Sequence, residues 1–237
     1  MSEWKVKRFW SEANVSLCAG GYSILLDSRS VKTPAKKDLI VPTKSLALAI
    51  AAEWNEQDSE INPQTMPITR SANAAIDKVF HQHAEVADLL SAYADADLLC
   101  YRADGPTSLV KRQAEAWDPL LDWAEAQFGA RLIPVSGVMH RPQNPEEISR
   151  LKKLVYDMDA FTLTAFHDLV GISGSLVIGL AALHNYMCAE QLWKISRIDE
   201  AWQEEQWGLD EEAQEVAKRK LTEFVHAKTF FDLASKR

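Results

Sequence analysis

Six histidines and three cysteines are the side chains of this chain best suited to bind a metal or attack a substrate. Among the histidines (His81, His83, His140, His167, His184 and His226), only His81 and His83 are neighbours. On a helix an i,i+2 pair points in different directions, so the spacing argues against a metal site. Cys18, Cys100 and Cys188 are far apart and odd in number, with no CxxC or Cys-His spacing, which fits free thiols in a reduced compartment. Gly171-Ile172-Ser173-Gly174-Ser175 resembles a nucleophile elbow only in part, because GxSxG requires glycine two residues after the serine. No HExxH, Walker A loop or GxGxxG occurs. Glu200 and Glu204, at i,i+4, could crowd one another and raise a pKa, the starting point of a general acid–base pair. The surrounding charge pattern reads more simply as a solvated acidic face. The expectation is no catalysis, no metal and no cofactor. The rival is a hydrolase or transferase using the acids near 196–215.

Charge narrows the partner. The chain has 237 residues, 26 bases and 34 acids. Residues 1–80 hold ten bases and nine acids, whereas the remainder holds sixteen bases and twenty-five acids. Phosphate neutralisation needs clustered Lys and Arg, so no nucleic-acid partner is expected. The opening residues MSEWKVKRFW carry neither an apolar h-region nor an Arg/Ser-rich leader, which predicts action in the compartment of synthesis, the cytoplasm. The longest apolar run, Leu169 to Leu183, is shorter than a membrane span. Its Gly171, Gly174, Ser175 and Gly179 suit close helix packing instead, so no membrane insertion is expected.

Behind these residues lies an α+β pattern. Val15–Ala19 and Tyr22–Asp27 flank Gly20-Gly21, a hairpin signal, and short strands follow at 31–33 and 38–41. Thr43 is placed to cap a helix reaching about Gln57, with Leu46, Ile50 and Trp54 on one face. Thr69 is placed to cap the next helix. From about residue 84 the periodicity is helical, with helices predicted at 84–94, 107–128, 145–157, 160–183, 188–207 and 210–233. Asp118-Pro119 reads as a helix restart, and Leu132–Met139 as one extended excursion. The expected organisation is a small N-terminal α+β domain over 1–82 and an all-α domain over 83–237.

The stretch WKISRIDEAWQEEQWGLDEEAQE, residues 193–215, is the most unusual. Residues 196–215 hold eight acids and one base, Arg197. Read as one helix, Ile195, Ile198 and Trp202 make a core stripe within about 60°. Trp193, Glu200 and Trp207 stand a heptad apart on the other side, beside Gln203 and Glu204. Large aromatics among acids suit a surface that another macromolecule covers.

Several segments together resemble one family. GYSILLDSRSVKTPAK, LAIAAEWNEQ and INPQTMPIT occur in the N-terminal part; DADLLCYR, Gln113 through WDPLLDWAE, and SRIDEAWQEEQWG follow in the same order. The match runs from Arg8 to about Gly208. It resembles the chaperones that bind the free alpha subunit of the soluble catalytic sector of ATP synthase. Ser28 replaces a common glycine, and Asn55 a common aspartate. The resemblance implies a two-domain, non-catalytic protein, expected to be monomeric, that shields the unassembled alpha subunit until the beta subunit replaces it. Glu200 matches an acid of the family's motif, and with Gln203, Glu204, Trp207 and Trp193, which share its face by helical geometry, it is expected to contact the client. Trp54, Asp97, Tyr101, Arg102, Trp117 and Asp118 are family-motif positions with structural roles: Trp54 and Trp117 as core, and Asp97, Tyr101 and Arg102 as a hydrogen-bonded join between the domains.

Overall fold

The computed structural model describes residues 7–137 and 139–235. The chain falls into two compact units. One takes in the described residues up to Gln82, Asp159–Ala165 and the stretch from Thr229 on; the other takes in His83–Met158 and Phe166–Lys228. The sequence division at 82 leaves the two short returns, 159–165 and 229–235, with the helical part.

In the first unit, β1 (Ala13–Cys18) and β2 (Gly21–Leu26) form an antiparallel hairpin whose register runs from Ala13↔Leu26 to Cys18↔Gly21. The two loop residues include Gly20 at φ 91°, a left-handed conformation that glycine adopts without a Cβ penalty. Two short strands, β3 (Arg29–Ser30) and β4 (Ile40–Val41), pair antiparallel with β2. Period-two alternation turns Ile24 and Leu26 inward, where α1 (Lys44–Asn55) contributes Leu46, Ala47, Ile50 and Ala51. The Thr43 hydroxyl accepts from the Leu46 amide at 3.1 Å, the expected cap. Trp54 is half-buried against this core, 5.2 Å edge-on from Trp10. Asn55 does more than decorate the surface. Its carboxamide accepts from the Ala13 amide (2.7 Å) and donates to the Ala13 carbonyl (3.0 Å), a pairing that an aspartate could not complete.

The second helix corrects the expectation for Thr69. Helix α2 (Pro67–Ala74) starts two residues earlier, and its free amides are capped from outside by the buried Glu53 carboxylate. Glu53 accepts from Ile68 N and Thr69 N, each at 2.7 Å, and from the Thr69 hydroxyl at 2.6 Å. Burial raises the Glu53 pKa, and these three donors oppose that rise.

The second unit is helical: α3 (His83–Ser91), α4 (Thr107–Phe128), α5 (Pro145–Tyr156), the distal part of α6 (Ala160–Ser173), α7 (Leu176–Leu183), α8 (Ala189–Ser196), α9 (Ile198–Trp207) and most of α10 (Glu211–Ala234). A two-residue parallel pair, β5 (Tyr101–Arg102) with β6 (Val135–Ser136), accounts for the extended excursion, of which Val138 lies outside the described residues. Helix α4 does not restart at Pro119. Proline deprives the Glu115 carbonyl of its helical donor, but Glu115 and Pro119 are both exposed, so water can take that place. Gly174 (φ 74°) ends α6, and the Ser175 hydroxyl caps α7 by accepting from Ile178 N at 3.0 Å. The predicted helix 160–183 is therefore two helices. Gly179 lets α7 approach α6, since a Cβ there would lie 2.8 Å from both Phe166 and Val170. Gly171 has no such neighbour. No helix of the described residues is long and apolar enough to cross a membrane.

Candidate functional site: the outward face of α9

Helix α4 holds the end of α8 by one contact and α9 by two more. The Trp117 indole, fully buried, donates to the Ile195 carbonyl at 2.9 Å, satisfying a group freed where α8 ends. Gln113, 1% exposed, accepts from Ala103 N (2.8 Å) and donates to the Asp199 carboxylate (2.6 Å). Arg112 grips Glu205 through two bonds of 2.7 and 2.9 Å, and its guanidinium lies 5.1 Å from the Trp202 ring. The bond from Arg112 holds the Glu205 carboxyl below the usual carboxylate range. Ile198 is buried, and Ile195 and Trp202 are half-buried, so the expected core stripe faces inward in part.

The chain between α8 and α9 breaks at Arg197 (φ −113°, ψ 23°). That break overturns the placement of Trp193. Its ring is 6% exposed, 5.5 Å from the Arg197 guanidinium and 6.2 Å from Phe224. Heptad arithmetic assumes one continuous helix, and here the register is lost before Glu200. Trp193 is a core residue and not an exposed contact.

The remaining four candidates stay together. Glu200, Gln203, Glu204 and Trp207 follow i, i+3, i+4, i+7 on α9, with Glu200 and Gln203 exposed, Glu204 half-buried and Trp207 80% exposed. Arg197 sits 3.5 Å from Glu200 and 3.4 Å from Glu204, so a shared cation spans the carboxylates that crowding alone would set against each other. Gly208 (φ 94°) stops the helix and leaves Leu209 69% exposed beside Trp207 in the chain. Asp210 then caps α10, accepting from Glu212 N (2.9 Å) and Ala213 N (3.2 Å).

Asp97, Tyr101 and Arg102 find these partners within the second unit, which corrects the expected join between domains. Asp97 is fully buried and bridges two helix starts, accepting from Leu99 N (3.0 Å) and from Val177 N in α7 (3.1 Å). Burial pushes its carboxyl up to about 6 against the pull of these donors. Arg102 donates to the Leu99 carbonyl (2.8 Å), pairs with Asp118 (2.7 Å) and covers the Trp117 ring at 5.3 Å. Asp118 is thus an ion-pair partner inside α4 and not an N-cap. Tyr101 shares a 2.9 Å bond with His140.

The residues singled out for chemistry are occupied otherwise. Ser173 donates to the Leu169 carbonyl at 2.7 Å and Ser175 is a helix cap, so neither hydroxyl of the elbow-like segment is paired with a base. No group of three His, Cys, Asp or Glu that could hold a metal occurs among the described residues. Burial raises the Cys100 thiol, the reverse of an activated nucleophile. Sequence reading missed Arg112, Asp199 and Glu205 as determinants of the site. Their pairings span 86 and 93 residues and carry no local signal.

Helix α9 therefore presents an exposed tryptophan among acids on one side and is held by polar bonds from α4 on the other. Comparison with known proteins gives the chain a family. Residues 7–125 match the family described as ATP12 chaperone protein. The chain is 45% identical to Atp12 from Paracoccus denitrificans, whose crystal structure superposes with a TM-score of 0.96 over 98% of this chain and 100% of that one. A point mutant of the Paracoccus protein superposes with a TM-score of 0.97 at 45% identity, over 99% of this chain and 100% of that one. Mitochondrial atp12 of Schizosaccharomyces pombe is 27% identical over 228 residues, 91% of this chain and 78% of that protein. The chain belongs to the ATP12 chaperone family, assembly chaperones of ATP synthase and not enzymes.

Proposed function

We propose that this chaperone binds the free alpha subunit of the ATP synthase catalytic sector through the outward face of α9, and yields it when the beta subunit takes its place. The protein acts in this reading as a cytoplasmic monomer without a cofactor. The observation that carries it is Trp207, 80% exposed on a face it shares with Glu200, Gln203 and Glu204. An unassembled alpha subunit presents apolar surface meant for beta, and covering it needs apolar surface in return. Carboxylates around the tryptophan keep the free chaperone soluble and let the contact remain reversible.

The test pairs stability with rescue. Glu200 is exposed and its contact with Arg197 is 3.5 Å long, so Glu200→Lys is expected to change unfolding free energy by only about 0.5 kcal/mol. The same substitution is expected to abolish recovery of soluble, co-expressed alpha subunit by reversing charge at the contact. Trp207→Ala is expected to weaken capture by about 2 kcal/mol with the thermal midpoint kept. A stable Glu200→Lys protein that rescues the alpha subunit in full would remove α9 from the binding surface.

A further inference from the structure

The outward face of α9 is a ridge between two hollows of different chemistry. On one flank a groove of about 760 Å³ is walled by Tyr101, Leu109 and Trp202. The charged groups that also line it are already bonded, Arg102 to Asp118, Asp104 to Ser136 and Asp199 to Gln113. On the other flank a hollow of about 560 Å³ is edged by Glu200, Glu204, Asp210 and Glu212. Gln203 and Trp207 border both. Arg197 is the one basic residue among the described residues lining the second hollow, and it is shared between Glu200 and Glu204. Four carboxylates against one guanidinium leave that hollow strongly negative.

We propose that the docked segment of the client is an apolar stretch flanked on one side by lysine or arginine. Its apolar side chain fills the Tyr101–Leu109–Trp202 groove, its backbone crosses Trp207, and its cation enters the hollow at Glu212. This rests on the reading of α9 as the client-binding face. The two hollows select together. An acidic segment is repelled from the second, and a wholly apolar one would strip water from Glu212 without giving it a partner. A second copy of this chain, with its net charge of −8, would bring one acidic face against another.

The experiment measures capture of purified alpha subunit by the full-length protein at low and at high salt. Glu212→Lys is compared with Glu190→Lys, an equal charge reversal at an exposed position of α8 outside both hollows. Wild-type capture is expected to weaken with salt. Glu212→Lys is expected to lose roughly tenfold in affinity at low salt and most of the salt dependence, with Glu190→Lys unchanged. Glu212→Gln, which removes the charge and adds none, is expected to fall between. A photo-cross-linking residue at Gln206, which lines the apolar groove, is expected to label an alpha-subunit peptide with Lys or Arg within a few residues. Equal effects of the two reversals, salt-independent capture by wild type, or a labelled peptide without a base would overturn this proposal while leaving α9 as the contact. Failure of wild type to capture alpha subunit at any salt would overturn the choice of client and this proposal with it.

Discussion

Gln113 offers the sharpest test of how α9 is held. Its carboxamide is 1% exposed and links three segments: α4, the strap at Ala103, and α9 through Asp199. Gln113→Leu keeps the volume close and removes both bonds. The neutral bond from Ala103 N is worth about 1 kcal/mol, and the bond to the Asp199 carboxylate about 1.5–3 kcal/mol. Ala103 and Asp199 are only half-buried, so water can reach the orphaned groups and the desolvation penalty stays small. The expected loss is about 2–4 kcal/mol, a fall in thermal midpoint on the order of 5–15 °C for a chain of this size. Gln113→Glu is expected to cost more than the leucine substitution, because it sets a second carboxylate against Asp199 where a donor stood at 2.6 Å. Denaturant unfolding gives the free energy, and amide exchange at Ala103 and along α9 reports whether the loss is local. A Gln113→Leu protein within about 0.5 kcal/mol of wild type would show that the Gln113 bonds do not hold α9, leaving Arg112 and the apolar contacts to do so.

Two further outcomes follow from buried groups. Asp97 carries a carboxyl raised from 3.8 to about 6, so the folded state binds more protons than the unfolded state between those values. Stability is therefore expected to fall as pH rises from about 3 to 7, by about 3 kcal/mol in all relative to an Asp97→Asn variant, of which about 2 kcal/mol falls between pH 4.5 and 7.5. Unfolding both proteins at pH 4.5 and 7.5 isolates the difference, and parallel pH curves would contradict it. Gly179→Ala is expected to destabilise by about 1–3 kcal/mol, because overpacking against Phe166 and Val170 at 2.8 Å exceeds the gain of roughly 0.5–1 kcal/mol in helix propensity. A raised thermal midpoint for that variant would show that α6 can give way.

Local signals in the sequence carried far. Gly20-Gly21 marked the hairpin because only a turn with positive φ joins two such alternating runs. Thr43 and Gly208 marked helix ends through groups within one turn of themselves. Breaks inside continuous patterns were invisible. Helix α7 is buried on every side, so the apolar run gave no change of period where Gly174 and Ser175 divide it from α6. The break at Arg197 likewise left the heptad spacing of Trp193 and Trp207 intact on paper while turning one inward and leaving the other exposed. Nor could spacing reveal Glu53, which caps a helix beginning fourteen residues later because the fold brings its carboxylate to that helix start.

In the proposed role one short helix would meet opposing demands, and the two sides of α9 divide them. Its inner side is secured by the buried Ile198 and by directional contacts, Gln113 to Asp199 and Arg112 to Glu205 and Trp202, while the Trp117 indole holds the end of α8 just before it. Helix orientation then depends less on the outer residues, so a tryptophan can remain 80% exposed without having to pack for the fold. Covering an indole of that exposure removes on the order of 150 Å² of apolar surface from water, about 4 kcal/mol before the entropic cost of association is counted. Alone such a gain does no more than offset the low end of that cost, so in the proposed role Trp207 would hold the client jointly with the groove beside it, and the contact would stay weak enough to be surrendered to a larger apolar interface. Carboxylates at the rim add steering and selectivity more than affinity. A helix fixed by polar bonds behind and left free in front is therefore suited to a contact that must form readily and end.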